Sequence, residues 1–286
     1  MPRFEPGAHI DVHLADGLTR SYSLVNDASE RHRYVLGIKR EKDSRGGSVW
    51  LHEHARVGAT LSIEGPRNHF ALNEAASHSL LIAGGIGVTP LWSMVQRLQS
   101  LGRSWELHYR VRARRSAPLL DELSAPTVAE HVHLGFSEDS GGKRLDLLQV
   151  VRAAPSGTHF YCCGPIGMID AFEQVCSHLD PSVVHFEYFG AKDAPATAGG
   201  FTVELDKSGC SIPIVPGKTI LGALREAGVE VPSSCQQGVC GACETRVLKG
   251  VPDHRDLVLT DAEKASGSTM MICCSGSLTE TLVLDL

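Results

Sequence analysis

Cys235, Cys240 and Cys243 stand at C-x4-C-x2-C spacing, and Cys273 follows after 29 intervening residues. That spacing is the plant-type ligand pattern for a [2Fe–2S] cluster. Thiolates are soft anionic ligands that suit iron. The loop reads Ser233-Ser-Cys-Gln-Gln-Gly-Val-Cys-Gly-Ala-Cys243. Its small residues let the backbone wrap closely and aim N–H groups at the sulfurs, and Gly238 and Gly241 allow conformations that a Cβ forbids. A structural zinc site is the competing reading, but zinc sites favour paired short spacings. Here the first gap is four and the last cysteine stands alone. Cys274 competes with Cys273 for the fourth position; in an extended segment neighbours point to opposite faces, so only one of them can ligate. A cluster of this kind moves single electrons, which implies an electron-transfer system.

The chain of 286 residues is long enough for two or three domains. A net charge of −6 argues against a nucleic-acid partner. No apolar run reaches the length of a membrane span. The N-terminus, Met1-Pro-Arg-Phe-Glu-Pro-Gly7, has no apolar signal region. Nine cysteines in that setting point to a reducing, cytoplasmic location and to metal or redox use, not disulfides.

Three rhythms divide the chain. Residues 1–74 read as short strands: Ala8–Leu14 alternates at period two, Arg20–Val25 and Arg33–Arg40 are β-rich, and Leu61–Glu64 follows. Strands at this spacing suggest a small antiparallel barrel. Residues 75–190 alternate strand and helix. Strands are expected at Ser79–Ala83, Trp105–Arg110, His131–Leu134 and Thr158–Cys162. Helices are expected near Pro90–Leu101, Pro118–Leu123, Leu145–Ala153 and Gly167–Leu179, which implies a parallel α/β sheet. Residues 191–200 are small and flexible and read as a linker. Residues 201–286 open with a hairpin, Phe201–Leu205 and Ser211–Val215. A helix over Thr219–Ala227, the cysteine loop and a strand at Thr281–Asp285 complete this part.

Ala83-Gly-Gly-Ile-Gly-Val-Thr-Pro90 follows a strand and opens a helix, the context of a pyrophosphate cradle. Pro90 stands where the Rossmann fingerprint needs its third glycine, so the turn is not that motif. A second strand ends in Cys162-Cys-Gly-Pro165, which places Cys163 at the mouth of the same sheet; a buried free cysteine is the plainer reading. Arg20-Ser-Tyr-Ser23 and Arg45-Gly-Gly-Ser48 offer a charged fork, a phenol and hydroxyls that could hold a flavin and its phosphate. Taken alone they are a surface strand and a hairpin tip. Cys176-Ser-His178 is half of a Rieske pattern without its partner and reads as structural.

In this order the motifs resemble the phthalate dioxygenase reductase family, which includes the vanillate O-demethylase reductase subunits. Further carriers are Gly65-Pro-Arg-Asn68, His185-Phe-Glu-Tyr-Phe-Gly190, Asp253-His-Arg-Asp256 and Met271-Ile-Cys-Cys-Ser275. The resemblance covers essentially the whole chain. It implies an antiparallel flavin-binding β-barrel, a parallel α/β NAD-binding domain and a C-terminal β-grasp ferredoxin domain. It implies FMN, NADH and one [2Fe–2S] cluster. By resemblance Arg20, Ser21, Tyr22 and Ser23 line the flavin, and Gly47 and Ser48 hold its phosphate. Phe189 stacks near the isoalloxazine. Gly84, Gly85, Gly87, Thr89, Gly164 and Pro165 approach the dinucleotide. Cys163 sits near the nicotinamide and shapes hydride transfer without acting as a nucleophile. Cys235, Cys240, Cys243 and Cys273 are the cluster ligands. Family members carry a longer stretch before the part resembling Phe4–Gly7, so the barrel is expected to be short of its first one or two strands, with weakened flavin affinity or a start upstream.

The implied function is that of a reductase component, which passes electrons from NADH through FMN and the cluster to the Rieske centre of an oxygenase or O-demethylase for aromatic acids. A monomer is expected. The alternative is a simple electron carrier in which only the ferredoxin part works. Arg110, Arg112, Arg114 and Arg115 leave NADPH open as the donor, since arginines can accept a 2′-phosphate.

Overall fold

The computed structural model of the chain describes residues 1–286 except 42, 43, 45, 140 and 143. Arg45, the first residue of one flavin-phosphate segment, lies outside the described residues. The described chain forms two units, Met1–Phe189 and Gly190–Leu286.

The first unit begins with β1 (His9–His13) and β2 (Thr19–Ser23). Helix α1 (Gly47–His54) and β3 (Ser62–Arg67) follow. The strands pair antiparallel in the order β2-β1-β3. Ile10, Val12, Leu14 and Leu24 are buried between this sheet and Leu51 of α1. Among the described residues this sheet is open and three-stranded, not a closed barrel. The strand expected over Arg33–Arg40 contributes one isolated bridge, Leu24 to Leu36. Its backbone is held instead by Asn26, whose Oδ1 accepts the Val35 N–H at 2.9 Å. Helix α1 also replaces the hairpin tip expected around Gly46–Ser48. Its N-cap is Gly46, which offers no side-chain cap, so the segment carries no helix-start signal in sequence.

The chain continues into β4 (His78–Gly84), α2 (Val88–Ser100), β5 (Ser104–Val111), the short α3 (Leu120–Leu123) and β6 (Val132–Phe136). It then forms α4 (Leu147–Ala153), β7 (Thr158–Cys163), α5 (Ile166–Cys176) and β8 (Val184–Glu187). The five strands make a parallel sheet in the order β6-β5-β4-β7-β8. Strand β4 is central and almost fully apolar, as a strand covered on both faces must be. Leu91, Met94, Val95 and Leu98 of α2 pack fully buried on Leu81, Leu107 and Tyr161. Each such side chain contributes about 1.5–3 kcal/mol of burial. Helix α2 also binds the first sheet's chain: Ser93 Oγ donates to Asn26 O at 3.1 Å and Gln96 Nε2 to Val25 O at 2.8 Å. Cys176 is buried on α5 and His178 is exposed beyond it, in keeping with a structural reading of that pair.

The second unit contains β9 (Phe201–Leu205), β10 (Ser211–Ile214), α6 (Ile220–Glu226), β11 (Glu244–Lys249) and β12 (Pro252–Asp253). It ends with α7 (Asp261–Ser266), β13 (Thr269–Met271), β14 (Gly276–Ser277) and β15 (Thr281–Leu284). The main sheet runs β10-β9-β15-β11-β13, with β9 and β15 parallel. Thr219 caps α6 by accepting the Gly222 N–H at 3.1 Å. No helix among the described residues is long and apolar enough to cross a membrane.

Candidate functional site

Parallel pairing brings the C-terminal ends of β4, β7 and β8 to one edge. Ala83 pairs with Cys163, and Cys163 with Glu187. The glycine turn after β4 and the Cys-Gly-Pro turn after β7 are pressed together there. A Cβ on Gly87 would stand 2.2 Å from the Cys163 carbonyl oxygen, and one on Gly84 would stand 2.5 Å from Pro165 Cδ. These two glycines are therefore consumed by packing of turn on turn. Gly85 differs: its φ is +54° and nothing lies within 4 Å of a Cβ there, so its surface is open. Thr89 is buried and its hydroxyl donates to Ile86 O at 2.9 Å, which caps the turn from within.

Cys163 is fully buried, and burial, with Glu187 and Cys162 adding to it, raises its thiol well above the usual range. Such a thiol stays protonated at neutral pH and is a poor nucleophile. Phe189 is 42% exposed just past β8. Glu187 was quoted within a motif but given no role from sequence, although a carboxylate in an apolar strand end is itself a signal. Its Oε2 is buried without a hydrogen-bond partner, and burial pushes its carboxyl up to about 8. The neutral acid is then the form that the fold favours. Its stabilising contribution is complete below about pH 4.5 and is lost as pH rises through about 8. His9 and His185, lowered by burial to about 4, lose their contribution on the acid side instead. Between about pH 6.5 and 8 the melting temperature of the first unit should fall, by up to about 1 kcal/mol of stability per pH unit. Glu187→Gln should flatten that slope; calorimetry showing the same slope in both proteins would remove Glu187 as its cause.

On the first sheet, Arg20 and Tyr22 share a face, and Ser21 turns to the other. The Arg20 side chain lies beside Gly47 at the start of α1, where a Cβ would stand 2.5 Å from Arg20 Cγ. Ser21 Oγ donates to Asp11 Oδ1 at 2.6 Å, and Arg67 pairs with the other Asp11 oxygen. Ser23 is buried. Ser48 Oγ accepts the Glu41 N–H at 3.2 Å and donates to Ser44 Oγ at 3.1 Å. An arginine beside a helix N-terminus is a fit for a flavin phosphate.

In the second unit, Cys235, Cys240, Cys243 and Cys273 are all buried. The Cys235 thiol meets that of Cys240, and Cys243 meets Cys273. The Cys235 N–H points at Cys240 Sγ at 3.4 Å, and the Gln237 N–H at Cys235 Sγ at 3.3 Å. Four gathered sulfurs with amides aimed at them fit a [2Fe–2S] cluster. Residues 272–274 form a turn after β13, so the alternation expected of an extended segment does not separate Cys273 from Cys274. Their partners do. The Cys273 thiol meets both Cys243 and Cys274, whereas Cys274 Sγ, on the far side of Cys273, approaches Met271 O and Ser275 Oγ. Cys274 also fills the space beside Gly238, where a Cβ would stand 2.5 Å from its sulfur. The neighbouring turn holds the loop: Leu257 N–H donates to Gly238 O at 2.8 Å, and Asp256 Oδ2 steadies that turn by accepting the Leu259 N–H at 2.9 Å.

Comparison with known proteins identifies two domains in the chain. Residues 81–174 match the model of an oxidoreductase NAD-binding domain, and residues 203–276 that of a 2Fe-2S iron-sulfur cluster binding domain. The phenoxybenzoate dioxygenase subunit beta of Ectopseudomonas oleovorans is 65% identical over 99% of this chain and 88% of its own length. Phthalate dioxygenase reductase of Burkholderia cepacia is 40% identical over 100% of this chain and 89% of its own length. The chain belongs to the phthalate dioxygenase reductase family. A solved phthalate dioxygenase reductase, described as a modular structure for electron transfer from pyridine nucleotides to [2Fe–2S], superposes with a TM-score of 0.75. It is 40% identical and covers 100% of this chain and 89% of its own. As a phthalate dioxygenase reductase relative, the chain is an NAD(P)H-dependent iron–sulfur oxidoreductase, the reductase component of an oxygenase system.

Proposed function

We propose that the chain draws electrons from NADH through FMN and its [2Fe–2S] cluster, and delivers them to the Rieske centre of a separate oxygenase acting on an aromatic acid. The observation that carries this reading is the presence, in one chain, of the paired turns at the β4–β7 edge and the four-sulfur loop of the second unit. The 65% identical relative is a dioxygenase subunit, which supports an oxygenase as acceptor. The proposed division is 1–74 for FMN, 75–190 for NAD, 191–200 as linker and 201–286 for the cluster. Bound flavin supplies the conversion of a hydride into single electrons, and a bound cluster supplies a one-electron relay.

The residues then have the following parts. Arg20 and the N-terminal amides of α1, with Gly47 and Ser48, hold the flavin phosphate, and Tyr22 stands on the same face. Ser21 and Ser23 contribute through the strand backbone, since Ser21's hydroxyl is engaged by Asp11. Gly85 lets the pyrophosphate approach the start of α2, and Gly84, Gly87, Thr89, Gly164 and Pro165 keep the two turns in place. Cys163 presents a protonated, uncharged wall to the nicotinamide. Phe189 covers the isoalloxazine. Cys235, Cys240, Cys243 and Cys273 hold the cluster.

Glu138 favours NADH. It lies just beyond β6, and its carboxylate takes the Arg112 Nε at 3.1 Å and the Arg115 Nη1 at 3.1 Å. Arg114 is laid over the Phe136 ring, 4.5 Å from its centroid. Arg112, Arg114 and Arg115 are thus already engaged, and the carboxylate repels a 2′-phosphate. Glu138→Gln should raise the NADPH-to-NADH ratio of kcat/KM about tenfold, the equivalent of one charge-assisted hydrogen bond. An unchanged ratio would place nucleotide selection elsewhere.

The function itself is tested anaerobically. NADH added to the purified protein should bleach the cluster absorbance, and stripping the flavin should stop the bleaching until FMN is restored. FAD, not FMN, in the released flavin would overturn the FMN assignment. A protein without flavin that only accepts electrons from an external reductant would be the simple carrier.

A further inference from the structure

On the face of β5 and β6 opposite Leu107 lies a set of donors with no part in the proposed electron path. Glu106 and His108 are two residues apart on β5 and so share a face. His133 stands directly beside His108 in the parallel register of β6. The two imidazoles stack with centroids 4.5 Å apart. Their Nε2 atoms reach different oxygens of one carboxylate: His108 to Glu106 Oε1 at 3.7 Å, and His133 to Glu106 Oε2 at 3.5 Å. One donor atom from each residue lies within 4.8 Å of the other two.

These separations resemble those of a tetrahedral cation site. With metal–ligand bonds of about 2.0–2.2 Å, two donors on one tetrahedral zinc stand about 3.4 Å apart. The two carboxylate–imidazole gaps exceed this by only tenths of an ångström. Exposure is graded across the set, at 11% for the His108 side chain, 30% for Glu106 and 49% for His133. A cation held there would keep one coordination position toward water. Imidazole with carboxylate suits zinc better than magnesium or calcium, which prefer all-oxygen shells. Burial first, then neighbouring His133, lowers the His108 pKa, which favours the neutral imidazole that ligates. His78 on neighbouring β4 holds Ser104 Oγ with its Nδ1 at 2.8 Å and is not among the converging donors.

We propose that Glu106, His108 and His133 form a binding site for one divalent zinc-type cation, distinct from the iron–sulfur site. Among the described residues, strand β6 is at the edge of the sheet and pairs only with β5. A cation here would tie the edge strand to its neighbour.

The probe is Zn²⁺ alone, titrated calorimetrically into the full chain with its cluster in place. Cys210, an exposed free thiol, is first replaced by Ser to remove a competing ligand. One equivalent should bind at micromolar concentration, with a rise in melting temperature and no change in iron content. His133→Ala and Glu106→Gln should each weaken that binding at least tenfold; both residues are solvent-facing enough for the variants to fold. His178→Ala, an exposed histidine elsewhere, should leave it unchanged. No stoichiometric binding, or binding that survives both substitutions, would overturn the site.

Discussion

Cys273→Ser should abolish the visible iron–sulfur absorbance and all NADH-driven electron delivery, while Cys274→Ser should leave the absorbance largely intact. The two residues are adjacent and both are buried, at 3% and 1% exposure, so burial does not distinguish them. Contact does. The Cys273 thiol meets that of Cys243, completing the set with Cys235 and Cys240, and the Cys274 thiol reaches that set through Cys273. A serine hydroxyl is a harder and less acidic donor than a thiol and is a poor substitute on iron. Cys274 is packed against Gly238, and serine there is smaller and keeps a donor toward Met271 O. Iron and sulfide analysis of the two purified variants decides the matter. Retention of a full cluster by Cys273→Ser, with loss in Cys274→Ser, would reverse the ligand assignment.

Gly87→Ala should raise the KM for NADH at least tenfold and lower the melting temperature of the first unit, with iron content unchanged. The added methyl would stand 2.2 Å from Cys163 O and 2.7 Å from Gly164 N. Both are backbone atoms at the end of a central strand pair, so no side chain can swing away. The two turns must part, at a cost of about 1–3 kcal/mol or more. Parting them displaces the start of α2, where the proposed pyrophosphate contact lies. Gly85→Ala is the control: it adds a methyl in open space and carries only the strain of φ +54°, about 1 kcal/mol. Equal behaviour of the two variants would mean that ligand approach, not turn packing, is what both glycines serve.

The parallel sheet was legible because its strands are short apolar runs separated by helical periods. Ser79–Ala83 and Thr158–Cys162 each fall inside the observed strand. The four-cysteine spacing was legible because cluster ligation fixes it through covalent geometry. Residues 24–61 were harder. Arg33–Arg40 has β-rich composition, yet its backbone groups are met by Asn26 and by a single bridge, which period-two patterning does not report. Helix α1 begins at two glycines without a side-chain cap, so nothing local announces it. Helix α7 had a readable signal that went unused: Thr260 and Glu263 form a capping box. Glu187 carried only a partial signal, a carboxylate in an apolar strand end, and Glu138 carried none. Their character depends on strand neighbours far away in sequence, a buried edge for one and two arginines on β5's extension for the other.

The strand order of the second unit has a consequence for biosynthesis. Strand β15 lies between β9 and β11, in the middle of the main sheet, although it is the last of these strands in sequence. Cys235, Cys240, Cys243 and Cys273 all precede it. Until residues 281–284 pair with β9, the unit has these four cysteines and no completed sheet behind them. Strand β9 then has an unfilled edge, open to the wrong partner. Cluster insertion and sheet completion are therefore separable events. A chain cut before Thr281 would keep all four cysteines and lack the strand that joins β9 to β11.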